Sequence, residues 1–258
     1  MIMLAIDIGN SRIKWALFID GLIKEDGSSG YSYEDFENKL ELSCLPDVAE
    51  TVMVSCVAGD ELKGRFEKWA SKNAYTNIEF AITCNQQHGI VNSYLRPEKL
   101  GVDRWLAMVA AYRECEAKQD ELICVIDCGT AITIDVLNSG GVHQGGLIMP
   151  GYQVMIQSMV QGAKNIKNEK KSFLEVSHSA GLGNSTADAL VKGCSQIIVQ
   201  GISGIISGYQ KESTSILRCI VTGGDGCWIS SALTIENVYD PFLVLKGLNI
   251  VSTNQNSK

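Results

Sequence analysis

The sequence predicts an α/β protein composed of two similar domains, and three observations support this prediction. The strings Ile6–Ser11 and Ile126–Ala131 each join an apolar strand to an Asp-x-Gly turn, and they lie about 120 positions apart, roughly one domain length. The match continues without a gap, so that Ile13–Leu17 corresponds to Thr133–Leu137. The 258 residues are enough for two compact domains of ordinary size.

In the first half, apolar β-branched runs alternate with runs of helical periodicity. Asp20-Gly21 is a typical hairpin turn at the end of the second strand. Thr51–Val57 is apolar and β-branched, as in a strand buried on both faces of a sheet. The elements predicted here are the strands Met3–Ile8, Arg12–Ile19 and Thr51–Val57 and the helices Tyr33–Leu42, Glu61–Ser71 and Asp103–Cys115.

The second half repeats this plan after a polar break at Ala117–Glu121, which sets the predicted domains at 1–117 and 122–258. A turn at Ser139-Gly140-Gly141 follows the second hairpin, and a later helical segment carries four glycines that permit close packing against another helix. The elements predicted here are the strands Leu122–Ile126, Ala131–Leu137 and Leu217–Val221, a helix capped at Asn184 or Ser185 that runs to about Gly208, and a frayed polar tail at Ser252–Lys258.

The composition argues against several classes of function. The net charge is −7 and no basic run exceeds Lys170-Lys171, which argues against a nucleic-acid-binding protein. None of the nine cysteines forms a Cys-x-x-Cys pair and the three histidines lie far apart, so neither a disulfide framework nor a zinc site is expected. The apolar run Met1–Ile6 is too short for a signal peptide or a membrane span. We therefore expect a cytoplasmic protein with reduced thiols that binds neither nucleic acid nor membrane.

The two Asp-x-Gly turns have the chemistry of a nucleotide site. Glycine lets backbone N–H groups approach a phosphate closely, and a carboxylate orients a metal ion or its bound water. Two such turns that face each other across a cleft would hold the phosphates of a nucleotide together with Mg²⁺. Neither Gly-x-x-x-x-Gly-Lys-[Ser/Thr] nor Gly-x-Gly-x-x-Gly occurs, which argues against the P-loop and Rossmann nucleotide folds.

Six ordered motifs resemble those of one known family and together span essentially the whole chain. They are Asp7–Ser11, Tyr94 with Pro97 and Gly101–Arg104, Asp127–Asp135, Gly145–Gly151, Gly183–Thr186 and Thr222–Gly224. The duplicated turns resemble the superfamily of acetate and sugar kinases, actin and heat-shock chaperone ATPases, and the remaining motifs narrow this to type III pantothenate kinases, the family also described as Bvg accessory factor. The resemblance implies an α/β fold of two duplicated ribonuclease-H-like domains with an ATP cleft between them.

On the nucleotide side, the resemblance implies that ATP contacts Asp7, Ile8, Gly9, Asn10, Ser11, Arg12, Ile13, Lys14 and Thr130. Ser11 replaces the family's usual threonine and keeps the hydroxyl, while Lys14 is either a phosphate ligand or a solvated strand lysine. Asp127 resembles the family's ligand for potassium or ammonium, although a carboxylate there equally positions Mg²⁺-bound water. Gly223-Gly224 either approaches the adenosine or forms a plain strand-end turn, and Asp225-Gly226-Cys227 departs from the small apolar residues usual at that point.

On the acceptor side, phosphoryl transfer to an alcohol needs a carboxylate that accepts the hydroxyl proton, and Asp103 supplies one. Arg104 supplies a planar cation for an acceptor's carboxylate. The alternative is that Asp103 caps its helix and Arg104 is a surface arginine. For Thr186 the alternative is simple capping of its own helix. The resemblance assigns Asp103 as the base and implies that pantothenate is held by Tyr94, Gly101, Val102, Asp103, Arg104 and Thr186.

The activity implied by the resemblance is ATP-dependent phosphorylation of pantothenate to 4′-phosphopantothenate, the first step towards coenzyme A. The implied cofactors are ATP, Mg²⁺ and a monovalent cation, K⁺ or NH₄⁺. The implied assembly is a homodimer in which Thr186 of one chain completes the pocket of the other, and a pocket formed within one chain is the alternative. A phosphatase or polyphosphatase on the same scaffold and a non-catalytic regulatory factor are the competing functions. Asp103-Arg104 with Tyr94 favours an organic acceptor over water. Intact carboxylates at Asp7, Asp103 and Asp127 favour an active enzyme.

Overall fold

A computed structural model describes residues 1–42, 45–46, 49–73, 75–115, 121–162, 181–212 and 216–253. The chain divides into two compact units: unit 1 is Met1–Glu114, Gly140–His143 and Phe242–Lys258, and unit 2 is Cys115–Ser139 and Gln144–Pro241. The basic pair Lys170-Lys171 and the first four residues of the predicted polar break lie outside the described residues.

Both units contain strands and helices. The strands are β1 (Ile2–Ile8), β2 (Arg12–Ile19), β3 (Leu22–Gly30), β4 (Thr51–Cys56), β5 (Ile78–Phe80), β6 (Gln86–Gln87), β7 (Ile90–Val91), β8 (Glu121–Cys128), β9 (Ala131–Asn138), β10 (His143–Pro150), β11 (Ile216–Thr222) and β12 (Asn237–Tyr239). The helices are α1 (Phe36–Leu42), α2 (Asp60–Lys72), α3 (Val102–Cys115), α4 (Tyr152–Gly162), α5 (Thr186–Glu212), α6 (Gly226–Ala232) and α7 (Leu243–Thr253), with a 3-10 turn at Pro97–Lys99.

Each unit is built on one five-stranded sheet, and the two sheets share a topology. The order is β3-β2-β1-β4-β5 in unit 1 and β10-β9-β8-β11-β12 in unit 2. In both sheets the first two strands of the repeat pair antiparallel, and the central strand then pairs parallel to the next. This equivalence confirms the α/β fold with two duplicated domains that the repeated turns predict.

The sequence alignment of the two hairpins, which places no gap after the turns, is wrong by one residue. Ile8 pairs with Ile13 in the first hairpin, whereas Cys128 pairs with Ile132 in the second, so the second turn is one residue shorter. The inward-facing pattern of β9 therefore matches that of β2 from its own first residue, Ala131 against Arg12. A one-residue shift reverses which side chains face the core, so burial of the apolar residues fixes this register.

The acceptor motif lies at the start of a helix that is buried on nearly all sides. Residues 104 to 111 of α3 are all buried, which marks a helix enclosed by protein rather than one lying on the surface. Gly247 of α7 brings the two helices close together, because a Cβ there would lie 2.2 Å from the Leu106 carbonyl oxygen. Helix α7 in turn packs against β1 and β4. The start of α3 is therefore fixed to the sheet that carries the first Asp-x-Gly turn.

The last helix differs from the sequence-based division of the chain. Helix α7 belongs to unit 1, although it falls within the predicted second domain 122–258. It also extends to Thr253, so Ser252 is helical and buried rather than part of a frayed tail, while residues 254–258 lie outside the described chain. The physical reason is the apolar face of α7, with Leu243 and Leu248 fully buried, which is covered by packing on the first sheet.

Helix α5 has one face in the core of unit 2 and one face without neighbours in that core. A stripe of buried residues packs with α4 and the sheet; it comprises Val191, Cys194, Ile198, Ile202 and Ile206.

By length and composition alone the stretch Thr186–Lys211 would suffice to cross a membrane, but the core helix of a soluble protein meets the same criteria.

Candidate functional site

The first Asp-x-Gly turn is closed by its own backbone and by a tyrosine. The Gly9 N–H donates to the Arg12 carbonyl at 3.0 Å, and the Tyr31 N–H donates to the Ser11 carbonyl at 3.1 Å. The Tyr31 hydroxyl also donates to the Gly9 carbonyl. These bonds fix the loop while Asn10, Ser11 and Arg12 stay exposed, so their polar groups face solvent, where a phosphate can reach them.

Tyr31 is a residue of this turn that the sequence analysis missed. Burial raises the pKa of its hydroxyl to about 12, and the nearby Cys56 and Asp7 add to the shift. The group therefore remains a protonated donor at physiological pH. No local sequence pattern indicates this contact, because β2 and β3 lie in the chain between Tyr31 and the turn.

The side chains around the first turn divide into buried and accessible groups. Ile8 and Ile13 are fully buried, so the side chains of these two predicted ATP-binding residues face the core of unit 1. Lys14 lies directly opposite Asp7 on the neighbouring strand, and Ser55 lies beside Asp7 on the other side. Cross-strand partners of this kind share one face of a sheet, so Lys14 and Asp7 form a row of opposite charges next to the turn.

The second turn has the same closure with different support. The Gly129 N–H donates to the Ala131 carbonyl at 3.0 Å, and the Gly151 N–H donates to the Thr130 carbonyl at 3.0 Å. Gly151 has no room for a side chain, because a Cβ would lie 2.1 Å from the Gly129 carbonyl oxygen. The turn is thus clamped by the end of the glycine-rich stretch, and Thr130 remains exposed at its tip.

Asp127 lies against the strand-end turn that follows β11. Gly223 has φ +93°, and a Cβ there would lie 2.5 Å from the Asp127 Oδ1 atom and 2.4 Å from the Cys128 carbonyl oxygen. The Asp225 N–H donates to that same carbonyl at 2.9 Å. Gly223 is therefore required for packing on the second turn. Gly224, in contrast, has open space where a Cβ would be, which leaves its backbone approachable.

A hydroxyl residue accompanies each turn aspartate. Ser55 is the register partner of Asp7 and is fully buried, and Thr222 is the register partner of Asp127 and is 1% exposed.

Burial, together with the charges of Asp127 and Asp225, raises the pKa of the Cys128 thiol, so this cysteine stays protonated.

Asp103 lies in the first turn of α3, where one carboxylate oxygen is already engaged. Its Oδ1 accepts a hydrogen bond from the Arg104 N–H at 2.7 Å. Gly101 makes room for this carboxylate, because a Cβ at 101 would lie 2.6 Å from the same oxygen. Val102 and Asp103 are half-buried. The structure therefore orients the Asp103 carboxylate at the helix start through one of its two oxygens.

Arg104 and Tyr94 are brought together, as their shared role in the acceptor motif predicts. The Arg104 Nη1 donates to the Tyr94 hydroxyl at 2.8 Å, and the guanidinium carbon lies 5.6 Å from the centre of the Tyr94 ring. Arg104 is 6% exposed, so it is not the surface arginine of the alternative interpretation. A buried, oriented guanidinium suits bidentate binding of a carboxylate.

Thr186 is the first residue of α5, but the capping hydroxyl belongs to its neighbour. The Ser185 hydroxyl accepts from the Asp188 N–H at 3.1 Å, so Ser185 caps the helix and the capping explanation for Thr186 is wrong. Lys192 donates to the Leu182 carbonyl at 3.3 Å, which fixes the preceding loop on the helix. Thr186 is exposed, and its hydroxyl has no hydrogen-bond partner among the residues that the structure describes.

The donor set fits ATP with Mg²⁺ better than a protein-enclosed metal. Within the described ranges no group of three or more His, Cys, Asp or Glu residues is arranged to hold a metal ion. Mg²⁺ bound through single carboxylates takes the rest of its shell from phosphates and water. Asp7 and Asp127, each placed beside a turn with accessible backbone and hydroxyl groups, suit that kind of coordination.

Comparison with known proteins gives the same family along the chain. Residues 3–208 match the profile of the family described as Type III pantothenate kinase. A type III pantothenate kinase of Nitrosococcus oceani is 35% identical over 251 residues, covering 95% of this chain and 92% of that protein. One from Alcanivorax borkumensis is 29% identical over 254 residues, covering 98% of this chain and 99% of that protein.

Solved structures of low sequence identity support the fold. A Baf family protein from Campylobacter jejuni is 22% identical with a TM-score of 0.55, covering 99% of this chain and all of that one. A ROK family glucokinase from Streptomyces griseus, solved with glucose and AMPPNP, is 10% identical with a TM-score of 0.52, covering 97% of this chain and 99% of that one. With the profile match and the near-complete coverage of its relatives, the chain belongs to the type III pantothenate kinase family.

Proposed function

We propose that this protein catalyses the ATP-dependent phosphorylation of the primary hydroxyl of pantothenate, which gives 4′-phosphopantothenate in the first step of coenzyme A synthesis. The observation that carries the proposal is the start of α3, where Asp103 is adjacent to a buried Arg104 that contacts Tyr94. A carboxylate next to an oriented guanidinium fits an acceptor that carries both an alcohol and a carboxylate, as pantothenate does. Family membership supports the same reaction.

Asp103 acts as the base in this proposal. One of its oxygens is held by the Arg104 N–H, which orients the carboxylate with respect to the helix. The carboxylate accepts the proton from the acceptor's hydroxyl as that oxygen attacks the terminal phosphorus of ATP. The N-terminal end of α3 adds a favourable field for negative charge at this point.

Arg104 and Tyr94 bind the acceptor's carboxylate. A guanidinium that is 6% exposed has lost most of its water, so an ion pair formed there is stronger than one on the surface. Val102 and Gly101 complete the same stretch of backbone, with glycine leaving space beside the Asp103 carboxylate. These residues select an anionic alcohol over water, which distinguishes the kinase from a phosphatase on the same scaffold.

The two turns bind the phosphates of ATP. Asn10, Ser11 and Arg12 present exposed polar groups from the first turn, and Thr130 presents its hydroxyl from the second. Lys14 neutralises phosphate charge from its position opposite Asp7. ATP brings the Mg²⁺ that offsets the charge of its phosphates during transfer. In this proposal Asp127 is a ligand of a monovalent cation, K⁺ or NH₄⁺.

The enzyme is a homodimer in this proposal, and α5 is its seam. A Cβ placed at each of four glycines of α5 would meet no atom within 4 Å; these are Gly193, Gly201, Gly204 and Gly208. The helical repeat places them on one face, together with Ile197, which is 63% exposed. A stripe of glycines beside an exposed isoleucine suits close packing of two helices. Thr186, at the start of the same helix, then contributes its hydroxyl to the acceptor pocket of the partner.

The test is release of ADP from ATP in the presence and in the absence of pantothenate, with Mg²⁺ and K⁺ supplied. A pantothenate kinase releases ADP in stoichiometric amounts with pantothenate consumed and very little without it. Equal release in both mixtures would show a phosphatase, and no release in either would show a non-catalytic factor. The expected localisation is the cytoplasm, which fits an enzyme that consumes ATP.

A further inference from the structure

A histidine outside the family motifs lies against the acceptor site. His143 is 1% exposed, and its ring stacks on that of Tyr94 with centres 6.0 Å apart and planes inclined by 19°. Its Nδ1 lies 3.2 Å from the Ser93 Oγ, within hydrogen-bond distance. The same Tyr94 accepts the hydrogen bond from Arg104. One tyrosine therefore joins His143 to the residue that binds the acceptor's carboxylate.

The backbone of Tyr94 is fixed independently of its ring. The buried Asn92 side chain accepts from the Tyr94 N–H at 3.0 Å and donates to the Cys84 and Pro97 carbonyls. These bonds hold the chain, but rotation of an aromatic ring about its last torsion is only weakly restricted by its own geometry. The plane of the Tyr94 ring must therefore be set by what packs against it.

The segment that carries His143 is firmly held within unit 1. The Val91 N–H donates to the Gly141 carbonyl at 2.9 Å, and Val91 forms a parallel bridge with Val142. Gly141 has φ +77°, and a Cβ there would lie 2.1 Å from the Gly89 carbonyl oxygen. Only glycine permits this approach. His143 therefore meets Tyr94 from a fixed backbone.

We propose that His143 is a positioning residue of the acceptor site. Its ring, oriented by Ser93, fixes the plane of the Tyr94 ring and, through the Tyr94 hydroxyl, the direction of the Arg104 guanidinium. This inference rests on the proposed function, in which Arg104 binds the carboxylate of pantothenate. It assigns His143 and Ser93 an effect on binding of the acceptor and none on binding of ATP.

The experiment measures kcat and the two KM values in full-length variants. His143→Ala removes both contacts and is expected to raise KM for pantothenate about three- to tenfold, the range that an aromatic pair contributes. His143→Phe restores a ring against Tyr94 and recovers part of this loss, and the exposed Ser93→Ala costs about twofold. KM for ATP is expected to be unchanged in all three, so the ratio of the two KM values is the quantity compared.

A matched control removes another stacked pair in unit 1. Trp69 and Tyr75 stack with centres 5.7 Å apart and planes inclined by 27°, remote in sequence from the acceptor motif. Tyr75→Ala is expected to lower the unfolding temperature without changing KM for pantothenate. If His143→Ala behaves like Tyr75→Ala, or raises both KM values equally, His143 is structural only and the inference is wrong.

Failure of this inference is distinguishable from failure of the proposed function. If Arg104→Gln leaves pantothenate binding unchanged by calorimetry, the assignment of Arg104 is wrong and the inference falls with it. If Arg104→Gln weakens binding and His143→Ala does not, only the positioning role is wrong. Should His143→Ala fail to fold, His143→Phe and Ser93→Ala decide the matter, since unchanged KM values for pantothenate in both contradict the proposal.

Discussion

At the scale of single residues, Asp103 combines a contact at the helix start with the chemistry of a base. The two roles are separable because asparagine keeps an oxygen that can accept the Arg104 N–H but has no basic carboxylate. We predict that Asp103→Asn lowers kcat about 10²- to 10⁴-fold, the usual contribution of a general base. ATP binding by calorimetry and the unfolding temperature are expected to stay close to those of the unmodified protein. Activity above about a tenth of normal would make Asp103 a capping residue alone.

The role of Asp127 is tested by dependence on a monovalent cation. If its carboxylate binds K⁺ or NH₄⁺, the rate rises with potassium at fixed ionic strength in a Tris background with Mg²⁺ constant. Asp127→Asn is expected to weaken this response because it removes the negative charge that attracts the cation. A rate that does not change with potassium would remove Asp127 from this role.

The site residues that the sequence identifies stand in short local motifs, whereas those that it misses make contacts with residues far away along the chain. Asp7, Asp103 and Arg104 stand in short motifs whose spacing already carries the chemistry. Tyr31 and His143 reach the site across 22 and 50 positions of the chain, counted to Gly9 and Ser93. Contacts of that separation depend on the folded sheet, and no local pattern encodes them.

At the scale of elements, the strand-end turn after β11 contains two adjacent glycines, of which Gly223 has no room for a side chain and Gly224 has. Gly223→Ala forces a side chain onto a φ of +93° and against the Asp127 carboxylate, so we predict a loss of about 1–3 kcal/mol of stability and a weakened potassium response. Gly224→Ala is the control, because its Cβ would enter open space. Thermal unfolding compares the two, and equal unfolding temperatures would contradict the packing role of Gly223.

The glycine stripe of α5 gives a second paired prediction. Gly204→Leu adds a bulky side chain to the proposed seam and is expected to shift a dimer towards monomer in analytical ultracentrifugation. Gly64→Leu is the matched control, since Gly64 lies in helix α2 outside the stripe, and a Cβ there would likewise meet no atom within 4 Å. A dimer unaffected by Gly204→Leu would place the seam elsewhere.

The bounds of long elements with clear periodicity can be predicted from the sequence, whereas very short strands cannot. The strand at Arg12–Ile19 is predicted with the bounds that the structure has, and α2 and α3 are found within one residue at each end. The strands β6 and β7 have two residues each, and too short a run shows no period. The one-residue difference between the two turns is missed although the sequence contains a signal for it, because Ile132, Ile134 and Val136 alternate along β9 with more polar residues.

At the scale of the whole molecule, the division of the chain follows packing rather than sequence order. Helix α7 and the segment Gly140–His143 belong to unit 1, although both lie in the second half of the chain. A sequence-based boundary assumes that neighbours in the chain are neighbours in space, and these two segments break that assumption.

A shared acceptor pocket is tested by mixing two inactive chains. Asp103→Asn lacks the base, and Thr186→Trp obstructs the hydroxyl position at the start of α5. If Thr186 serves the partner's pocket, a mixed dimer contains one pocket with both residues intact. Each mixed dimer then has about half of the activity of an unmodified dimer. No recovery after confirmed exchange would mean that each chain supplies its own pocket.

Selection of an anionic alcohol as the phosphoryl acceptor, by the start of α3, is the step on which the proposed function depends. It is measured by supplying ATP labelled in its terminal phosphate to the purified protein with a panel of alcohols that includes pantothenate, its uncharged alcohol analogue pantothenol, and glycerol. We expect label on the primary hydroxyl of pantothenate, far less on pantothenol, and a loss of this preference in Arg104→Gln. Equal labelling of pantothenate and pantothenol, or transfer of the label only to water, would show that α3 does not select the acceptor in this way.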